Sequence, residues 1–446
     1  MKLSSLYLKL TPPQILASGF AMIILVGTIL LKLPISNKTG HPFPFIDALF
    51  TATSAMCVTG LSVVDIKTQF STFGQIIILI LVQLGGIGFM TMATWFAIMW
   101  RKRISLRDRL VLKESMNHSN IEGIVRLLVR VILFSITIEG TAAVVFAWRW
   151  SFEMPLGQAI YFGIFHAVSI FNNAGFDLFG GYQSLNHEVD DIIFNIISMI
   201  LIILGGIGFI VMSDLIEYRK TRKLSLHSKV VLSASGVLIL LGAVVIFVFE
   251  YTNSLTLGPL GGGGKTLASF FQSVSLRSAG TSTLDIASLR EGTQFFMVVL
   301  MFIGAAPGST GGGIKITTFT ILIGAIIAMI RGKDDVILFR HRLPKDNIYK
   351  AITITLMALA LVVVSTMILS TTQDHQFLMI LFETTSAFGT VGLSMGLTPD
   401  LTLSGKILII LLMFIGRIGA LTLAYALQPK SKKELYRHPE GKIIIG

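Results

Sequence analysis

The chain has 446 residues, 53% of them hydrophobic and only 13% charged, with a formal net charge of +12. That balance excludes a soluble globular protein and describes a chain that crosses a membrane several times. A single cysteine, Cys57, excludes an internal disulfide and reads as a small buried residue.

Long and short apolar segments alternate along the chain. Segments at 14–33, 74–100, 123–148, 192–216, 229–250, 294–330, 348–370 and 404–427 are long enough to cross a bilayer. Between the members of each pair lies a shorter one, at 45–57, 157–172, 265–276 and 376–388, predicted to be a half-membrane pore helix. The first span lacks a small-residue cleavage site and reads as a signal anchor. The predicted fold is an all-α integral membrane protein with eight transmembrane helices and four re-entrant pore helices. They form four membrane–pore-loop–membrane repeats around a central pore. The repeats fall at 1–100, 101–222, 223–340 (with a broken second span) and 341–429, and a cytoplasmic tail follows at 430–446.

The positive charge is concentrated. Of 36 Lys and Arg residues, 22 lie in 101–113, 219–229, 331–350 and 430–442. All four stretches fall on one side if the spans alternate, so the positive-inside rule places both termini in the cytoplasm. This distribution argues against nucleic acid as the partner. The segment after Gly175 is acidic, with Asp177, Glu188, Asp190 and Asp191.

Four glycines mark the repeats, in Val58-Thr59-Gly60, Asn173-Ala174-Gly175, Ser278-Ala279-Gly280 and Thr390-Val391-Gly392, at spacings of 115, 105 and 112 residues. A dehydrated cation needs oxygen ligands. Backbone carbonyls supply them without the tight hold of a carboxylate, and glycine accepts the backbone angles that this requires. These twelve residues are the predicted filter, with Gly60, Gly175, Gly280 and Gly392 as the ion-binding level. Only the fourth segment approaches a Thr-Val-Gly order, so one dominant ion site is expected.

Each second span carries a further glycine, in Leu84-Gly85-Gly86-Ile87-Gly88, Leu204-Gly205-Gly206-Ile207-Gly208 and Ile415-Gly416-Arg417-Ile418-Gly419. Small residues here allow close helix packing. The third repeat departs from the pattern after Gly304, with Ala305-Ala306-Pro307-Gly308-Ser309-Thr310-Gly311-Gly312-Gly313-Ile314-Lys315. Such a run cannot continue a helix, and broken backbone at membrane depth belongs beside a cavity. It is the predicted gate. Lys315 either anchors this loop or reaches the cytoplasmic face. Arg417 stands mid-span in the slot of Gly86 and Gly206, where a charge is costly. It serves either as a buried ion-pair partner or as a barrier to cations bonded to the loop.

The four repeats, the filter glycines, the glycine-rich interruption and the lone arginine of the last span resemble the Ktr/Trk/HKT superfamily of potassium transporters, over essentially the whole chain. The eight-span layout is most similar to the membrane subunits of Ktr systems. The resemblance implies K+ as the transported ion and Na+ as activator or coupling ion. It also implies a homodimer with one pore per subunit, and a cytoplasmic ring of KtrA-like RCK regulatory subunits that bind ATP or ADP. Glycine at all four filter positions goes with potassium selectivity in this superfamily.

Other features carry less. Glu139 and Arg277 are candidates for a pair bracing the filter. Asp65 and Asp177 either concentrate cations at its mouth or are simply solvated. The apolar end Lys442-Ile443-Ile444-Ile445-Gly446 is expected to dock near the subunit interface, and the basic loops to meet either anionic lipid or the regulatory ring. Gly261-Gly262-Gly263-Gly264-Lys265-Thr266 mimics a phosphate loop, but the required earlier glycine is Pro259 and no strand precedes it. No catalytic constellation is present in the sequence, which sets aside a membrane-embedded enzyme. A sodium-selective uniporter of the same fold is disfavoured by the filter glycines.

Overall fold

A computed structural model describes residues 11–88, 91, 92, 94, 98, 109–112, 124–419 and 422. Almost all regular structure is helical. In chain order the helices are α1 (Pro12–Lys32), α2 (Phe45–Met56), α3 (Thr72–Ile87), α4 (Ile124–Trp150), α5 (Leu156–Phe171), α6 (Ile192–Gly206) and α7 (Phe209–Thr221). They continue with α8 (Leu226–Glu250), α9 (Gly262–Ser275), α10 (Glu291–Phe302), α11 (Ile316–Ile330), α12 (Lys345–Thr372), α13 (Phe377–Gly389) and α14 (Leu403–Ile418). The basic segment 101–113 lies almost entirely outside the described residues, and the tail 430–446 lies wholly outside them.

The first helix of each repeat is long and apolar: among the described residues α1, α4, α8 and α12 have the length and composition to cross a membrane. Each is capped or bounded where its apolar run ends. Ser225 accepts a bond from the Ser228 N–H to start α8, and Gln14 Oε1 accepts the Thr11 N–H at 2.9 Å at the start of α1. These helices turn apolar side chains outward. Met22 is 64% exposed and Val144 69%, as a lipid-facing surface requires. Polar groups lie inside instead: Thr53, Ser54, Thr59, Asn172, Ser278 and Thr390 are buried.

The short helices α2, α5, α9 and α13 run 12 to 16 residues. At about 1.5 Å per residue they reach only about 18–24 Å, short of a bilayer core. They pack against the long helices, α2 on α1, α5 on α4, α9 on α8 and α13 on α12.

The second spans differ from the continuous helices expected at 74–100, 192–216 and 404–427. α3 stops at Ile87, α6 at Gly206 and α14 at Ile418. The cause is the last glycine of each motif: Gly88, Gly208 and Gly419 have φ of +90°, +88° and +93°, which no α-helix contains. In repeat two the chain resumes as α7, bent 102° from α6. The segment 294–330 is interrupted as well, between α10 and α11. Among the described residues each of the four segments is therefore interrupted, and the break in repeat three, between Phe302 and Ile316, is longer than that in repeat two, between Gly206 and Phe209.

After α11 a two-residue hairpin pairs Ile337 with Arg342 and Leu338 with His341. Phe339 and Arg340 at its tip both take positive φ, the turn that suits strand twist.

Candidate ion pathway

The predicted filter segments directly follow the short helices α2, α5, α9 and α13. In repeats one, two and four the last turn holds a serine six residues before the filter glycine: Ser54, Ser169 and Ser386. Its carbonyl accepts the N–H of the residue before the glycine, Thr59, Ala174 or Val391, at 2.8 Å in each case. The hydroxyls of Ser54 and Ser386 also accept the N–H of Gly60 and Gly392, both at 3.1 Å. Ser169 instead donates to the Phe176 carbonyl at 2.7 Å. In repeat three the serine has moved one place, and Ser275 donates to the Thr281 carbonyl. These serines were visible in the sequence at a constant offset, and they do the anchoring that the glycines alone cannot.

The backbone alternates in sign. Val58, Asn173, Ser278 and Thr390 have φ of +57°, +59°, +68° and +46°, and the glycines two places on have +93°, +70°, +71° and +92°. A left-handed residue at alternate positions turns successive peptide planes the same way, whereas a strand alternates them.

The glycines close a ring. A Cβ at Gly60 would strike the Ala174 carbonyl oxygen, and one at Gly175 would lie 3.1 Å from the Ala279 oxygen. A Cβ at Gly280 would strike the Val391 oxygen, and one at Gly392 the Thr59 oxygen. Each glycine thus abuts the carbonyl preceding the glycine of the next repeat, and repeat four returns to repeat one. The Gly280 and Gly392 backbones come within 3.1 Å of where a Cβ would stand. The ring has no room for a side chain pointing along it.

On one side of the ring the segments after all four glycines line an open vestibule with a cavity volume of about 170 Å³. Asp65, Asp177 and Asp285 lie in its wall. Asp65 Oδ1 caps a short helical turn by accepting the N–H groups of Lys67 and Thr68, and its Oδ2 accepts that of Gly181. Asp177 accepts from Phe179 N–H at 2.9 Å. Burial pushes the Asp177 carboxyl up to about 6, against the lowering effect of the Phe179 and Gly180 N–H groups. Two other acids of that segment are committed elsewhere: Glu188 accepts from the Trp150 indole, and Asp191 pairs with Arg149 at 2.5 Å.

On the other side lies the glycine-rich loop. Gly311 and Gly312 pack under the filter: Cβ atoms there would meet Ser278 Cβ at 2.9 Å and the Thr390 hydroxyl. The Gly312 N–H donates to Thr390 Oγ1 at 2.9 Å. Ala306 and Thr310 N–H groups donate to the carbonyls of Gly206 and Gly205, and Phe209 N–H donates to Gly308. Ser309 closes a turn onto Ala306, with Pro307 between them. Gly304 N–H donates to Ile314 at 2.8 Å, and Gly313 N–H to Gly416 at 3.3 Å. The loop is therefore stitched to the second spans of repeats two and four, and Ala305 and Ala306 are fully buried within it.

Two cations hold the loop. Arg417 donates to the Thr310 carbonyl with one nitrogen and to the Gly85 carbonyl with another, with Gly86 at 3.3 Å. Among the described residues no carboxylate pairs with it. Of the two alternatives for Arg417, the described residues show the loop bond and no ion pair. Lys315 donates to the Gly311 carbonyl at 2.7 Å, so it anchors the loop.

Glu139 and Arg277 do not pair. Gln83 donates to both oxygens of Glu139, at 3.2 and 3.0 Å, and Asn172 donates to it at 3.1 Å. Arg277 donates to the Gly304 carbonyl at 3.3 Å, at the start of the loop. Residue types suggested a pair of opposite charges; the fold sets Glu139 beside the second filter segment and Arg277 beside the third. The first glycine of each second-span motif serves packing. Cβ atoms at Gly85, Gly205 and Gly416 would strike the carbonyls of Met56, Phe171 and Phe388 at the ends of the pore helices. The mimic of a phosphate loop is the start of α9, where Lys265 donates to the Tyr251 carbonyl.

Comparisons with known proteins agree with this geometry. A family model described as TrkH, cation transport protein, matches residues 12–435. The Ktr system potassium uptake protein B of Bacillus subtilis is 43% identical, covering 99% of this chain and 98% of that protein. The potassium/sodium uptake protein NtpJ of Enterococcus hirae is 40% identical over 98% of each. The crystal structure of the potassium transporter TrkH from Vibrio parahaemolyticus superposes with a TM-score of 0.72, covering 93% of this chain and 85% of that one, at 17% identity, which shows the shared fold. The chain is a membrane protein of the TrkH family of cation transport proteins, within the Ktr/Trk superfamily.

Proposed function

We propose that this chain is the membrane subunit of a potassium-uptake system, conducting K+ through the ring formed by Val58–Gly60, Asn173–Gly175, Ser278–Gly280 and Thr390–Gly392. The observation that carries the reading is the closed ring, in which each filter glycine abuts a carbonyl of the next repeat. Carbonyl oxygens converging from four segments replace the hydration shell of a weakly hydrated cation. The relatives' names, potassium uptake and potassium/sodium uptake, support K+ as cargo and Na+ as activator or coupling ion.

In this reading the chain forms eight spans and four pore helices in the four repeats, with both termini cytoplasmic. The loop from Ala305 to Gly313, with Lys315 and Arg417, is the barrier beneath the filter. A charge about 6 Å from a passing ion at an effective dielectric of about 20 opposes it by about 3 kcal/mol. Moving the loop and the arginine together opens the path. The designation of relatives as parts of a Ktr system supports a separate regulatory component, which we take to be an RCK ring binding ATP or ADP. The subunit is a homodimer, with the tail 443–446 at the interface.

Gly60→Ser tests the filter. Its side chain would enter the space of the Ala174 carbonyl at a φ of +93°. Uptake of K+ against Na+ by liposomes carrying the variant should lose discrimination. Wild-type discrimination would refute the assignment.

A further inference from the structure

The segment beyond each filter glycine must be held back from the axis, and in three repeats a polar side chain of the pore helix does this. In repeat two the Leu178 N–H donates to His166 Nε2 at 3.4 Å. In repeat three the Ser282 hydroxyl donates to Gln272 Oε1 at 2.8 Å. In repeat four the Ser394 hydroxyl donates to Glu383 Oε1 at 3.1 Å, and the Thr398 hydroxyl donates to the same oxygen. His166, Gln272 and Glu383 are all buried. The three sites share a place and a task, but only the fourth carries a carboxylate.

A glutamine accepts the same hydroxyl, as Gln272 shows, so holding the strand does not require a charge. Glu383 is fully buried, its Oε2 has no hydrogen-bond partner, and no cation pairs with it among the described residues. A buried unpaired carboxylate is costly, so the group either takes up a proton or keeps its charge because an opposite charge passes near. Ser394 and Thr398, which screen it, line the vestibule beside Gly392. The geometry points to Glu383 as a positioning residue of the fourth filter segment. It ties back the outer strand through two hydroxyls and places one negative charge behind the ring, where it raises cation occupancy. This inference rests on the reading of Gly392 as part of a potassium filter.

The test uses the full-length chain in liposomes, with K+ uptake measured over a range of concentrations and against Na+. Glu383→Gln keeps a carbonyl acceptor and removes the charge. A carboxylate about 10 Å from an ion at an effective dielectric of about 20 changes its binding by roughly tenfold. The half-saturating K+ concentration should therefore rise by about tenfold, with maximal flux within about twofold of the parent and K+/Na+ discrimination kept. A paired variant, Ser394→Ala with Thr398→Val, leaves the charge and removes both ties, and should lower discrimination instead. An unchanged half-saturating concentration in Glu383→Gln overturns the role of the charge, and unchanged discrimination in the paired variant overturns the tie. If Glu383→Gln fails to insert, the paired variant still decides the tie, and Glu383→Asp, which keeps the charge, should hold the parent's half-saturating K+ concentration; a rise of about tenfold there overturns the role of the charge. Gly392→Ala separates the two levels of the argument: if it keeps discrimination, the filter reading fails. If it loses discrimination while both other variants behave as the parent, only the inference about Glu383 fails.

Discussion

Replacing Arg417 by alanine should turn a closed pathway into a leaking one. The guanidinium bonds to the loop at Thr310 and to the first repeat at Gly85 and Gly86, and no carboxylate neutralises it among the described residues. Two effects combine in the variant. The electrostatic barrier of about 3 kcal/mol disappears, which corresponds to roughly a hundredfold in rate. The loop also loses its only tie to repeat one among the described residues, while keeping its bonds to Gly205, Gly206 and Gly416 and the Lys315 anchor. The fold around the loop should therefore survive. Basal K+ flux, measured by dye quenching in liposomes without any regulatory partner, should rise by roughly a hundredfold. Arg417→Lys keeps the charge but cannot reach both carbonyls as a fork, and should leak far less than the alanine variant. Trimming Gly308–Gly313 should raise basal flux in the same direction. Equal leakage by the lysine and alanine variants would refute the electrostatic barrier. A loss of flux in a properly inserted alanine variant would show that Arg417 is scaffold.

Three further outcomes are expected. Asp177 protonates near pH 6 in the folded protein, so its vestibule charge is present at pH 7.5 and lost as pH falls toward 5. Uptake at low K+ should fall through that window, and Asp177→Asn should be low throughout with no inflection there; neighbouring Asp65 and Lys67 are left in place as a control on the local field. Removing residues 443–446 should weaken the dimer, measured as mass in detergent, and an unchanged mass with unchanged activity would count against a docking role. A co-purified RCK ring should make flux depend on nucleotide, and equal flux with ATP, with ADP and with no partner would end the coupling proposal while leaving the pore reading intact.

The sequence determined a great deal here because two of its signals are local. Apolar run length separates α1, α4, α8 and α12 from the short α2, α5, α9 and α13, and the helices begin and end within a few residues of the expected limits. Residue type alone marked Gly60, Gly175, Gly280 and Gly392 as places that need backbone angles glycine accepts at low strain, and marked 305–313 as non-helical. What occupies the space beside each glycine is a long-range fact. That Gly392 abuts Thr59, over 300 residues earlier, follows only when four repeats close around one axis. The same limit explains the misread second spans. Gly88, Gly208 and Gly419 looked like packing glycines in a continuous helix, but all three take a positive φ that propensity does not reveal, and only Gly208 lies against the glycine-rich loop, at the Pro307 carbonyl. Charges were the least legible of all. A buried carboxylate or guanidinium takes whichever partner the packing brings within about 3 Å. Thus Glu139 went to Gln83 and Asn172, Arg277 to Gly304, and Glu383 to two hydroxyls behind the fourth filter segment.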